Sequence, residues 1–64
     1  VIRVNGMPAA YVDESVADLL ERLGISTRGV AVAVDGDVVR RSEWSSTAVR
    51  DGASVEIVTA VAGG

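Results

Sequence analysis

The run Val30-Ala31-Val32-Ala33-Val34, followed at once by Asp35-Gly36 and then Val38-Val39-Arg40, constrains the fold of this chain more than any other segment. A β-branched residue at every second position suits an extended strand. Asp-Gly supplies the two left-handed residues that a tight hairpin turn requires. The segment therefore predicts a β-hairpin. With 64 residues in all, folding buries only about 60% of the surface that the unfolded chain exposes, which leaves room for one sheet on one helix and no second lobe. Thirteen valines and nine alanines, against one Trp, one Tyr and no Phe, make the core of such a domain aliphatic.

The rest of the chain supplies the partners for this hairpin. Val1-Ile2-Arg3-Val4-Asn5 alternates apolar and polar residues and meets the turn pair Asn5-Gly6, after which Ala9-Ala10-Tyr11-Val12 reads as the returning strand. Pro8 lacks a backbone donor, so that second strand lies at an edge or begins after it. Ser15-Val16-Ala17-Asp18 has the pattern of a hydroxyl capping the first turn of a helix. Val16, Leu19, Leu20 and Leu23 then form one apolar stripe, with Asp18, Glu21 and Arg22 facing water. Gly24 suits the left-handed residue that ends a helix, with Ile25 folding back onto the last turn. After the polar loop 26–29 and the hairpin, Ser42-Glu43-Trp44-Ser45-Ser46-Thr47 reads as a loop with one tight helical turn. Asp51-Gly52 reads as a turn and Ser54-Val55-Glu56-Ile57-Val58-Thr59 as the last strand. The predicted order is strand, strand, helix, strand, strand, strand, with Ile2, Val4, Val32, Val55 and Ile57 facing inward. The last strand must lie beside the first or the third, and a parallel pairing with the first through a right-handed crossover is the economical arrangement. That is an α+β, ubiquitin-like β-grasp fold, a mixed sheet of four to five strands packed on one helix. Residues 1–59 form the domain and residues 60–64 a flexible C-terminal Gly-Gly tail.

Composition narrows the chemistry. The chain has no His, Cys or Lys, so it offers no Ser-His or Cys-His pair, no zinc site of nitrogen and sulfur ligands, no redox thiol and no Schiff-base amine. The expectation is a protein that is not an enzyme, binds no metal or cofactor itself, and enters chemistry as a substrate or carrier. A net charge of -3 without a basic run argues against nucleic acid as a partner. No apolar run approaches the ~20 residues of a membrane span and no signal-like segment is evident, so the expected location is the cytoplasm and no membrane is involved.

Ala60-Val61-Ala62-Gly63-Gly64 follows the last strand with no further element to cover it. Two glycines without side chains can thread a narrow channel and present a carboxylate to the α-phosphate of ATP held by a partner enzyme. The dipeptide alone is better explained as a frayed or truncated end; the β-grasp strand order before it reverses that preference and favours presentation. The combination Val32-Ala33-Val34-Asp35-Gly36-Asp37-Val38-Val39, Arg41-Ser42-Glu43-Trp44, Asp51-Gly52, Val55-Glu56-Ile57-Val58 and Val61-Ala62-Gly63-Gly64 resembles the ThiS sulfur carriers of thiazole biosynthesis. The likeness covers essentially the whole chain, including Val4-Asn5-Gly6 and Val16-Ala17-Asp18-Leu19-Leu20. It departs at Arg40, where a proline is expected before the Arg-Ser-Glu-Trp segment. The resemblance implies that an adenylating enzyme of the ubiquitin-activating type uses ATP to convert the Gly64 carboxylate to an acyl-adenylate. Sulfur from a cysteine desulfurase relay then displaces AMP. The resulting thiocarboxylate feeds thiazole synthase in thiamine formation. Gly63 and Ala62 are the tail residues that must pass into the partner's site.

Two rival roles share the same tail: a Gly-Gly sulfur carrier for molybdopterin, cysteine or a secondary metabolite, and a ubiquitin-like covalent modifier of protein lysines. A plain interaction domain is the third alternative. Glu56 and Val58 face away from the inward set and, with Ala31 and Ala33, make a mildly apolar outer sheet surface. That surface reads either as a dock for the activating enzyme or as an ordinary solvated sheet. Trp44 has two readings as well, a partner hot spot or a plug for the open side of an aliphatic core. Adjacent Arg40 and Arg41 suit an acidic partner or local acids such as Asp37 and Glu43. Asp13, Glu14, Asp18 and Glu21 are explained by helix capping and dipole complementation better than by a metal.

Overall fold

The computed structural model describes residues 1–59 and shows a mixed five-stranded sheet on one helix. Its strands are β1 (Ile2–Val4), β2 (Met7–Ala9), β4 (Val30–Val34), β5 (Asp37–Val39) and β7 (Ser54–Thr59). They lie in the order β2-β1-β7-β4-β5. β1 and β7 pair in parallel and the other neighbours are antiparallel. This is the ubiquitin-like β-grasp arrangement, with β7 at the centre of the sheet.

Local chemistry explains both hairpins. Asn5 and Asp35 each sit at φ 51°, followed by a glycine also at positive φ, which is the backbone of the tight two-residue turn. The turns set the registers directly, Val4 opposite Met7 and Val34 opposite Asp37. The first register moves the second strand from the predicted 9–12 to Met7–Ala9, with Pro8 inside it opposite Arg3. Two residues of turn leave no slack, so pairing resumes at once. Pro8 falls in the pair next to the closing one, where on an edge strand its missing N–H points to open solvent. Residues 10–13 leave the sheet instead of extending it. The Arg22 guanidinium takes the Ala10 carbonyl at 3.1 Å and holds Glu14 through Nη2 at 2.7 Å, which draws this segment toward the helix. The same bond to Glu14 raises the Arg22 pKa above its ordinary value.

Helix α1 (Val16–Arg22) begins where predicted, with Ser15 Oγ accepting from the Asp18 N–H at 3.2 Å. Val16, Leu19 and Leu20 are completely buried. Leu23 is exposed, contrary to the stripe read from the sequence, because the helix ends one residue before it. Gly24 at φ 70° reverses the chain, its N–H donating to Glu21 and that of Ile25 to Leu20. This reversal lets Ile25 pack on the core in place of Leu23.

Ile2, Val32, Val55 and Ile57 of the predicted inward set are buried, and Val4 is half-buried at the rim. Two elements were not anticipated. β3 (Glu14–Ser15) and β6 (Ala48–Val49) form a separate two-stranded sheet, extended by the Val16 N–H donating to Thr47 at 2.9 Å. This pairing buries Val49 beside the helix start. The helical turn expected within 42–47 is a 3₁₀ helix over Arg41–Ser46, which carries Trp44 into the core.

Arg40 precedes that helix at φ -65° and ψ 146°. This is the φ that a proline ring imposes, and Val39 before it is already extended, as a residue preceding proline must be. The departure from the expected proline therefore changes the residue without changing the path of the chain. Arg40→Pro is expected to stabilise the domain by about 0.4–1 kcal/mol through a stiffer unfolded chain. Urea denaturation checks it, and a lower midpoint would show that the Arg40 N–H or side chain holds something the proline loses.

Candidate functional site

β7 is the element that positions the site, because the tail residues follow it directly in sequence. Its alternate residues divide between the two sheet faces. Val55 and Ile57 point into the core, whereas Ser54, Glu56 and Val58 point outward. The antiparallel register with β4 sets Val58 beside Ala31 and Glu56 beside Ala33, and the register with β5 sets Ala33 beside Val38. An outer face is thus built from Ala31, Ala33, Val38, Glu56 and Val58, with Val58 61% and Val38 77% exposed. Two exposed valines separated by alanines leave a shallow apolar surface with one carboxylate at its margin.

Glu56 and Val58 come together with Ala31 and Ala33 as the sequence suggested. Val38 belongs to the same face and was missed. Counting from the Asp35-Gly36 turn would have found it, since a two-residue turn that pairs Val34 with Asp37 must pair Ala33 with Val38. Trp44 is not on this face. Its indole is buried, with Nε1 donating to the Val39 carbonyl at 2.9 Å. The Arg41 guanidinium lies 5.2 Å from the ring centroid and also donates to the Thr27 carbonyl. Arg41 is thus engaged by an aromatic face and a backbone oxygen; neither Asp37 nor Glu43 holds it. The packing matches the plug for the core's open side. It leaves a hot-spot role without an accessible ring.

Gly64, Gly63 and Ala62, the tail residues singled out above, lie outside the described residues. The acids near the helix start do not form a cluster: Glu14 pairs with Arg22, and the Asp18 backbone is capped by Ser15. Among the described residues no three acidic side chains gather at one point, and no helix is long and apolar enough to cross a membrane.

The ThiS family model matches residues 2–64. The sulfur carrier protein ThiS of Thermus thermophilus is 30% identical over 64 residues, which is the full length of both chains. That of Escherichia coli is 33% identical over 51 residues, covering 80% of this chain and 77% of the relative. Among solved structures, the crystal structure of a thiamine biosynthesis protein, ThiS, from Geobacter metallireducens superposes with a TM-score of 0.85 at 31% identity. It covers 98% of this chain and 97% of the other.

Proposed function

The chain belongs to the ThiS family, and from this premise we propose that it is a sulfur carrier for thiazole formation in thiamine biosynthesis. The observation that carries the reading is a family match that runs through Gly63-Gly64, which three residues separate from the end of the central strand in sequence. The chemistry follows from the groups present. A carboxylate oxygen is a poor leaving group, so an adenylating enzyme of the ubiquitin-activating type must first join the Gly64 carboxylate to the α-phosphate of ATP, releasing pyrophosphate. The mixed anhydride then loses AMP to a sulfur nucleophile. With hydrosulfide the products are AMP, a proton and a C-terminal thiocarboxylate. The chain acts in these steps as co-substrate: it has no His, Cys or Lys to contribute, and ATP is the partner's ligand. A cysteine desulfurase relay is the physiological sulfur source in this reading, and thiazole synthase is the acceptor.

Intact-protein mass spectrometry after incubation with ATP, sulfide and the adenylating enzyme tests the proposal. The expected product has one oxygen replaced by sulfur at the C-terminus and is absent when Gly64 is deleted. Adducts to lysines of other proteins would point to a covalent modifier instead. Sulfur loading that thiazole synthase cannot discharge would point to a carrier for another pathway.

The outer face of β4, β5 and β7 is the proposed dock for the activating enzyme, since it is apolar, exposed and on the strand that leads to the tail. Val58→Asp places a charge on this face, beside Ala31 and on the strand nearest the tail in sequence, without touching the core. The expected result is about a tenfold loss in the kcat/KM of thiocarboxylation with an unchanged melting temperature, the size of effect that a central interface residue carries. An unchanged rate would mean that the face is ordinary solvated sheet.

A further inference from the structure

The two tight turns have a second task beyond reversing the chain. In each, the first residue sends its side chain onto β7. Asp35 works at the start of the strand, its Oδ1 accepting the Ser54 N–H at 2.9 Å while its own N–H donates to the Ser54 carbonyl at 2.8 Å. Asn5 works toward the other end. Its N–H donates to the Val55 carbonyl at 2.8 Å, its Oδ1 accepts the Ile57 N–H at 2.7 Å, and its Nδ2 donates to the Ile57 carbonyl at 3.1 Å.

The Asn5 arrangement solves a problem that the topology creates. β1 runs parallel to β7 but turns away after Val4, while β7 continues to Thr59. From Ile57 onward the side of β7 that faces β1 would lose its partner, whereas the opposite side stays paired with β4 as far as Thr59 opposite Val30. The Asn5 carboxamide presents an N–H donor and its oxygen acceptor side by side, and with them it stands in for the missing backbone of β1. At Ile57 β7 is thereby held on both edges, by the Asn5 carboxamide through a contact that spans 52 residues of sequence and by its pairing with β4. A strand held on one side alone can twist about that pairing, while one held on both sides has its direction fixed.

Gly64 stands only seven positions beyond Ile57, a reach of at most about 25 Å. The direction in which β7 leaves the sheet through Val58 and Thr59 sets where the segment that carries the reacting carboxylate begins. We propose that Asn5 is a positioning residue that aims the segment after β7 at the site of the activating enzyme, an assignment that rests on the carrier reading above. Asn meets both demands of the position: it tolerates the left-handed backbone of the turn and presents a neutral donor-acceptor pair to Ile57.

The test compares the full chain with Asn5→Gly, Asn5→Asp and Asp35→Gly in steady-state thiocarboxylation with ATP, sulfide and the adenylating enzyme, alongside thermal melts. Asn5→Gly keeps the turn backbone and removes both side-chain bonds. It is expected to raise the KM for the carrier about fivefold and leave kcat within about twofold, because only a fraction of molecules then offers the tail correctly. Asp35→Gly removes the equivalent bond at the far end of β7 and is expected to lower the melting temperature with KM unchanged. That split separates aiming from mere stability. Asn5→Asp keeps the acceptor for the Ile57 N–H but loses the donor, and an intermediate KM is expected. Should Asn5→Gly fail to fold, Asn5→Asp carries the comparison. Native KM in the folded Asn5 variants, or an equal rise in Asp35→Gly, overturns the assignment while sulfur loading of the native chain stands. Absence of sulfur on the native chain instead overturns the carrier reading, and the assignment with it.

Discussion

On the carrier reading, deletion of Gly64 is expected to leave the domain folded and to lower its sulfur loading by at least about a hundredfold, because the carboxylate then presented is one residue short of the activated phosphate. In-line attack on phosphorus tolerates little displacement, and the missing residue shortens the reach by about 3.3–3.6 Å. Gly63→Ala is expected to act at the same step for a different reason: the added methyl would widen a tail that has to thread the partner's channel, abolishing transfer with the carboxylate still present. Among the described residues the buried core consists of Ile2, Val16, Leu19, Leu20, Val32, Trp44, Val49, Ala53, Val55 and Ile57, and a glycine carries no side chain to bury. Both variants are therefore expected to melt with the native chain. Mass spectrometry for loading and circular dichroism for melting check the pair. A melting temperature that falls together with loading would contradict the separation of fold and chemistry.

Trp44→Ala has the opposite profile. Removing a buried indole costs about 3–5 kcal/mol through lost burial and the cavity left behind. A domain of this length has a total stability of only about 3–10 kcal/mol, so the variant is expected to be largely unfolded at 25 °C or close to it. The indole covers the side of the core bounded by the 3₁₀ helix and α1, and its Nε1 satisfies the Val39 carbonyl at the end of β5. Trp44→Phe keeps most of the ring volume and leaves that carbonyl without its donor, for an expected loss of about 1–2 kcal/mol. Urea denaturation followed by circular dichroism distinguishes the two. If Trp44→Ala retained native stability and lost only thiocarboxylation rate, the residue would be a partner contact and its burial incidental.

The legible parts of this protein are those in which neighbours in sequence make the decision. Asn5-Gly6 and Asp35-Gly36 dictate two turns and, through them, the registers of four strands. The Ser15 cap and the Gly24 reversal bound a helix whose apolar stripe is read from spacing alone. The inward set on β7 follows from two-residue alternation, and with it the outward pair Glu56 and Val58. Misreadings arose where a local rule met a distant constraint. Leu23 matched the helical stripe but lies past the helix end, where Ile25 takes the core position. Ala10, Tyr11 and Val12 matched an extended strand, but Arg22 and Glu14 draw that segment toward the helix.

The amino-acid sequence by itself determined the hairpins, the helix, the order of the main strands and the Gly-Gly end, since each depends on conformational preferences or spacing within a few residues. Only the tertiary structure decided which side of Trp44 faces the core, that Ala48–Val49 would pair with Glu14–Ser15, and that the Asn5 carboxamide would complete the ladder of Ile57. These are pairings between groups far apart in sequence. A buried or half-buried donor and acceptor find each other only once the packing of the whole domain has brought them within reach, and no local preference encodes the partner.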